Sequence, residues 1–235
     1  MTLVRAPSRS LEATRTLTAG LAHEIRNPLH GALLHTRVLE RELAGAPVSA
    51  GARASVRTIE HELRRIAAFL DEFVEFARPQ PLVLERVSLE RICRRAAEVT
   101  GPLAERAGVS VDVALASGDL EVDADRERLC MAIANLVTNA IESIAASGRP
   151  GRVIVRGRSA GVSACVEVED DGPGLRDEGA RIFDVFFSTK PDGTGLGLPV
   201  AHRIVCDHGG EVVVEAQPGA TVFRVLLPPR SEAAT

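Results

Sequence analysis

Between Val56 and Ala77 the apolar residues Val56, Ile59, Leu63, Ile66, Leu70, Phe73 and Ala77 alternate steps of three and four without a break. That spacing lines one stripe along an α-helix, the seam of a bundle or coiled coil. A strand is excluded, because its faces repeat every second residue. From about Ser10 to Leu43 a second helical stripe runs through Leu21, Ile25, Pro28, Ala32, Leu39 and Leu43. The loop between them, "GAPVSAG", is short, so the two helices form an antiparallel hairpin. One hairpin has little against which to bury both stripes. The expectation is therefore a homodimer through residues 10–78 that completes a four-helix bundle. At "RPQP" Pro79 and Pro81 cannot continue the second helix, which marks a domain boundary.

Beyond that boundary the texture changes. β-type segments fall near 109–115, 152–158, 164–168, 211–215 and 221–227, and helical patterns near 89–106, 125–146 and 198–207. The fold class expected is α+β: the helical hairpin at 1–80, then a two-layer α/β sandwich with a mixed sheet at 81–230, and a frayed tail at 231–235. The chain has 235 residues, 45% of them hydrophobic, which is enough for real cores. No apolar run reads as a membrane span, and the first residues lack the pattern of a secretory signal. The four cysteines form no CxxC pair, so neither a disulfide framework nor a zinc site is expected. These features point to a cytoplasmic protein. A formal charge of −4 and the absence of Tyr and Trp give no case for nucleic acid as a partner.

Four short elements carry chemistry. "GTGLGL", Gly193 to Leu198, sets three glycines at alternate positions before a helical pattern, where close-lying amides and a positive dipole end suit a phosphate. It matches neither GxxxxGK[ST] nor GxGxxG. Just upstream stands Lys190, the only lysine in a chain whose 27 other positive side chains are arginine. A compact ammonium serves as a point charge against a phosphate where a planar fork does not. "VEDDGPGL" puts acids directly after a strand and before glycines, a place where a carboxylate could accept from the exocyclic amine of adenine. In "NLVTNAIES" Asn135 and Asn139 share one helix face, and their neutral oxygens could ligate a hard cation. In "HEIRNPL" His23 is expected to face outward beside Glu24, with Pro28 removing the N–H that would have bonded the Glu24 carbonyl. Such an imidazole is a nucleophile candidate. A zinc protease is excluded, since HExxH would need histidine where Asn27 stands.

Taken along the chain, these elements resemble a sensor histidine kinase of two-component systems, over nearly the whole chain: a dimerisation and phosphotransfer hairpin carrying "HEIRNPL", then an ATP-binding domain with an N box "NLVTNAIES", a G1 box "DDGPG", an F box "FDVFFSTK" and a G2 box "GTGLGL". "FFSTKPDGTGLGLPVAHRIV" is especially similar to the nitrogen-regulation branch. The resemblance implies that His23 accepts the γ-phosphoryl group of ATP with help from Glu24, and passes it to an aspartate of a response regulator receiver domain. Asn27 would position water for the reverse, phosphatase reaction. Asn139 would ligate Mg²⁺ with Asn135 close by, Asp170 would hold adenine, and Gly172 and Gly174 would shape its pocket. Phe187, Lys190, Thr194, Gly195, Leu196 and Gly197 would contact the nucleotide, with Gly193, from a lid that Phe183, Phe186 and Phe187 anchor. Relatives that hydrolyse ATP typically carry Glu four residues before the Mg²⁺-binding Asn, and here that residue is Asn135. The alternative is a nucleotide-binding scaffold without chemistry. The chain starts only about two dozen residues before His23, so sensory input is expected from a separate protein or a removed domain.

Overall fold

The computed structural model describes residues 2–5, 18–44, 49–77, 81–115, 120–160, 163–175, 179–190 and 193–228. Two compact units emerge, Arg9–Gln80 and Met1–Ser8 with Pro81–Thr235. The first is the hairpin of α1 (Thr18–Ala44), which runs through Pro28, and α2 (Ala50–Ala77). The Ser49 hydroxyl starts α2 by accepting from the Ala52 N–H at 3.2 Å. Leu29, Val56 and Leu70 are buried within the hairpin, as is Glu60, whose Oε1 lies 2.5 Å from Arg64 Nη2 and 3.5 Å from Arg37 Nε. Ile25, Leu39, Ile59 and Ile66, all members of the two stripes, stay 42%, 43%, 49% and 46% exposed. A single hairpin thus leaves much of its seam uncovered. Of the other expected seam residues, Leu21, Phe73 and Ala77 have side chains outside the described residues.

The second unit is a sheet covered on one side by helices. Its strands are β1 (Thr2–Arg5), β2 (Glu85–Ser88), β3 (Val109–Leu115), β4 (Glu121–Ala124), β5 (Gly151–Ala160), β6 (Ser163–Asp170), β7 (Glu211–Gln217) and β8 (Ala220–Leu227). Six form one sheet in the order β1-β7-β8-β6-β5-β3, while β2 and β4 pair separately. The β3–β5 pair is parallel and the rest antiparallel, so the sheet is mixed, as expected. β1 falls within the 1–80 expected for the hairpin, but it pairs with β7, Val4 opposite Val214. The unpaired edge of β7 takes it up.

Three helices pack on the sheet: α3 (Leu89–Ala107), α4 (Arg126–Ala146) and α5 (Gly197–Asp207). Ser88 caps α3 by accepting from the Arg91 N–H, and Asp125 caps α4 by accepting from the Arg128 N–H at 3.1 Å. α4 is the centre of the core. Leu129, Ala132, Ile133, Leu136, Val137, Ala140, Ile141 and Ile144 are all fully buried, against β5 and β6 below and α3 and α5 alongside. By length and composition α4 is apolar enough to cross a membrane, contrary to the expectation that no run would be. Its buried stripe belongs to this core instead.

The opposite face of the sheet is polar, as one side of an antiparallel sheet can be. Glu167 on β6 accepts from Arg158 Nη2 at 2.9 Å and from Arg224 Nε at 2.7 Å, and Arg224 Nη1 reaches Glu215 Oε1 at 2.5 Å. The buried helical layer and this charged layer together orient β6, so that Asp170 ends on the helix side of the sheet, beside α4.

Candidate active site

Asp170 is the last residue of β6 and is only 2% exposed. Burial pushes its carboxyl up to about 6, against the lowering effect of the Gly172 N–H, which donates to Oδ1 at 2.9 Å, and of Thr221. The turn needs glycine at 172. A Cβ there would stand 2.6 Å from Asp170 Oδ1 and 3.1 Å from Ser143 Oγ of α4, so the backbone could not lie this close to the carboxylate. The result is a buried acceptor beside a bare stretch of backbone, the arrangement that a flat, amine-bearing ring requires.

One turn along α4 from each other, Asn135 and Asn139 are half-buried. Lys190, 51 residues further along the chain, brings its ammonium to Asn139 Oδ1 at 3.0 Å. The same Nζ lies 2.7 Å from Glu142 Oε2 and 3.5 Å from the Asn139 carbonyl. Glu142 was missed by the sequence reading. Its position three residues after Asn139, hence on the same face, was the signal that could have found it.

The stretch from the 3-10 turn Gly179–Phe183 to Leu196 is attached at both ends. Phe183 is buried against the core with its ring centroid 5.3 Å from that of His202 of α5, the planes tilted by 48°, and Leu196 is fully buried. Phe187 packs on the core with the Arg181 guanidinium 4.6 Å above its ring. Phe186 does not anchor the segment as expected. Its φ of 70° turns the side chain outward and leaves it 55% exposed. Gly195, at φ +68°, lies so near that a Cβ would come within 2.6–2.8 Å of the Phe186–Phe187 backbone, and the Phe186 N–H donates to the Gly195 carbonyl at 3.1 Å. Gly197 then opens α5, with nothing within 4 Å of where a Cβ would stand. No side chain caps that helix start, so its first N–H groups are available to an anion.

Gly193 and Thr194 belong to this stretch, whereas Gly174, at φ +80°, lies in the turn after β6 against the Gln217 carbonyl. The Asp170 turn, Asn135, Asn139, Lys190 and the start of α5 thus belong to one unit. His23 and Glu24 lie on α1 of the other unit, and their side chains fall outside the described residues; Asn27 is exposed there. Among the described residues no group of three or more His, Cys, Asp or Glu could hold a metal. A cation at Asn139 would need oxygens from a ligand to complete its shell. Asn139 Oδ1 already accepts from one positive charge, the Lys190 ammonium, so the donor set suits a hard cation.

Comparison with known proteins gives two domain matches. Residues 13–82 match the His Kinase A phospho-acceptor domain, and residues 124–231 match the histidine kinase-, DNA gyrase B- and HSP90-like ATPases. Sensor histidine kinase ZraS of Escherichia coli (strain K12) is 33% identical over 221 residues, which cover 93% of this chain and 46% of that protein. Sporulation kinase C of Bacillus subtilis (strain 168) is 28% identical over 228 residues, 96% of this chain and 51% of the relative. The chain spans about half the length of these curated relatives. Among solved structures, full-length ShkA in complex with AMPPNP superposes with a TM-score of 0.75 at 30% identity, covering 94% of this chain and 47% of the other. Histidine kinase ThkA in complex with the response regulator protein TrrA gives 0.67 at 26% identity, covering 95% and 64%.

Proposed function

The chain belongs to the sensor histidine kinases of two-component systems, and on that premise we propose that it is an ATP-dependent protein-histidine kinase working as a homodimer in the cytoplasm. It phosphorylates its own His23 and hands the phosphoryl group to an aspartate of a response regulator. The observation that carries the reading is the meeting of the lone lysine with Asn139 at 3.0 Å, next to a buried strand-end carboxylate. Residues far apart in sequence, each suited to one part of a metal-bound nucleotide, converge. The exposed stripes of the hairpin support the dimer, since a second copy would cover them. The four cysteines, none of them in a disulfide, suit a reducing compartment. Assignment to the nitrogen-regulation branch rests on the run 186–205 alone.

The roles follow from the chemistry of each group. Asp170 accepts from the adenine amine, and the bare backbone at Gly172 lets the ring lie against it. The N–H groups at the start of α5 and the Lys190 ammonium face the phosphates. Asn139 would hold Mg²⁺, which when bound supplies charge neutralisation across the phosphates. A ring nitrogen of His23 then attacks the γ-phosphorus. The N–P bond forms as the bond to the bridging oxygen breaks, and ADP leaves with the electron pair. Glu24 takes or orients the other ring proton. Little covalent work falls to the protein, so positioning supplies most of the rate.

The test is incubation with γ-labelled ATP and Mg²⁺. The expected product is label on the protein that is labile in acid and stable in base, and absent from His23→Ala and Asn139→Ala. Acid-stable label, or label that survives His23→Ala, would overturn the proposal.

A further inference from the structure

Glu142 lies outside every residue assigned above, yet its carboxylate makes the shortest contact to the lysine of the site. Lys190 Nζ sits 2.7 Å from Glu142 Oε2 and 3.0 Å from Asn139 Oδ1. Two oxygens from one face of α4 therefore converge on a single cation, and that cation is attached to the protein. The turn that carries it is fixed locally, with the Lys190 N–H donating to Ser188 Oγ at 3.1 Å and the Gly193 N–H to the Lys190 carbonyl at 3.2 Å.

We propose that Asn139 and Glu142 together form the protein's share of the Mg²⁺ site, and that Lys190 is a tethered cation which holds this pair until the metal displaces it. The inference rests on the kinase reading and adds a ligand, Glu142, together with an order of events at that site. A hard divalent cation is bound by one or two carboxylates with phosphate oxygens and water, and an amide oxygen beside a carboxylate fits that set. An ammonium and a divalent ion cannot share the same two oxygens. Entry of metal with nucleotide therefore frees Lys190, whose charge passes from Glu142 to the phosphates.

This also accounts for lysine in a chain that otherwise uses arginine. A guanidinium would pair with the Glu142 carboxylate through two parallel bonds and would be harder to release, whereas an ammonium makes a point contact. With side chains 26% and 44% exposed, the Lys190–Glu142 pair is weak enough to exchange.

Binding of Mn²⁺ alone, followed by its electron paramagnetic resonance signal in the nucleotide-free protein, tests the exchange. Lys190→Met should bind Mn²⁺ about three- to fivefold more tightly than the natural protein, since a partly exposed pair competes by roughly that factor. Adding Glu142→Gln to Lys190→Met should abolish the gain. In a second titration, Glu142→Gln alone should reduce the factor by which Mg²⁺ tightens AMPPNP binding, and an unchanged factor would overturn Glu142 as a ligand. Equal Mn²⁺ affinities in the natural protein and Lys190→Met, with AMPPNP bound by both, would overturn the exchange and leave the kinase reading standing. Failure of the natural protein to bind AMPPNP would overturn both.

Discussion

Replacing Asp170 with asparagine should stabilise the protein while ruining its nucleotide site. Burial holds the Asp170 carboxyl up to about 6, against an ordinary value of 3.8. The folded state consequently binds more protons than the unfolded chain between those two values. Stability falls as pH rises through that window, and the penalty is fully present above about 6 and absent below 3.8. At about 1.4 kcal/mol per pH unit the penalty at pH 7.5 is roughly 3 kcal/mol. The replacing amide keeps an oxygen for the Gly172 N–H but has its own burial cost, so a net gain of about 1–3 kcal/mol is expected. For a chain of this length that raises Tm by about 2–12 °C. The gain should shrink as pH falls from 6 and vanish near 4. Nucleotide binding moves the other way, because a charged acceptor for the adenine amine is lost, at about 1.5–3 kcal/mol or roughly 10- to 150-fold in affinity. Thermal unfolding at pH 7.5 and pH 4, with calorimetric titration of AMPPNP at pH 7.5, measures both effects. A lower Tm for Asp170→Asn at pH 7.5, or a difference unchanged between the two pH values, would refute the reasoning.

Two further substitutions test how the site is held. Gly195→Ala forces a Cβ to within 2.6–2.8 Å of the Phe186–Phe187 backbone at φ +68°; it should strain the segment by about 1–2 kcal/mol and weaken AMPPNP binding, read by calorimetry, far more than it lowers Tm. His208 accepts from the Asp125 N–H through Nε2 at 2.9 Å, and its Nδ1 meets the Ile204 carbonyl at 2.7 Å, so one ring ties the end of α5 to the cap of α4. His208→Ala leaves that N–H without its partner and should cost about 1–3 kcal/mol, seen as a shift of the urea midpoint with little change in slope.

What could be read from the sequence was set by where the physical signal lies. α4 was legible because its buried residues recur at helical spacing, and β8 because Thr221, Phe223, Val225 and Leu227 alternate with outward residues. β1 was not. Four residues carry no periodicity worth the name, and their partner lies over two hundred positions away, where only the open edge of β7 decides the pairing. The pair β2–β4 was too short to show a pattern, with four residues on each side. In the site, Asp170, Asn139 and Lys190 announced themselves through unusual residue types beside glycines or in a helix. Glu142 did not, since a glutamate on a helix is ordinary until a cation from another segment is seen to rest on it. Phe186 misled because its position among other phenylalanines suggested an anchor, whereas its direction is decided by a left-handed backbone pressed against Gly195.

The same placement bears on why a bound triphosphate would wait. Hydrolysis needs a base that takes a proton from water beside the γ-phosphate. One turn before Asn139 stands Asn135, whose amide cannot accept a proton at neutral pH. The Glu142 carboxylate, on the same helix face as Asn139, has one oxygen engaged by Lys190. In the proposed exchange the metal takes over that oxygen as the lysine leaves. In the proposed reaction the nucleophile comes from outside this unit, as the imidazole of His23 on α1. On the proposed reading the lone lysine and the amide at 135 act toward one end, keeping the phosphoryl group for a histidine.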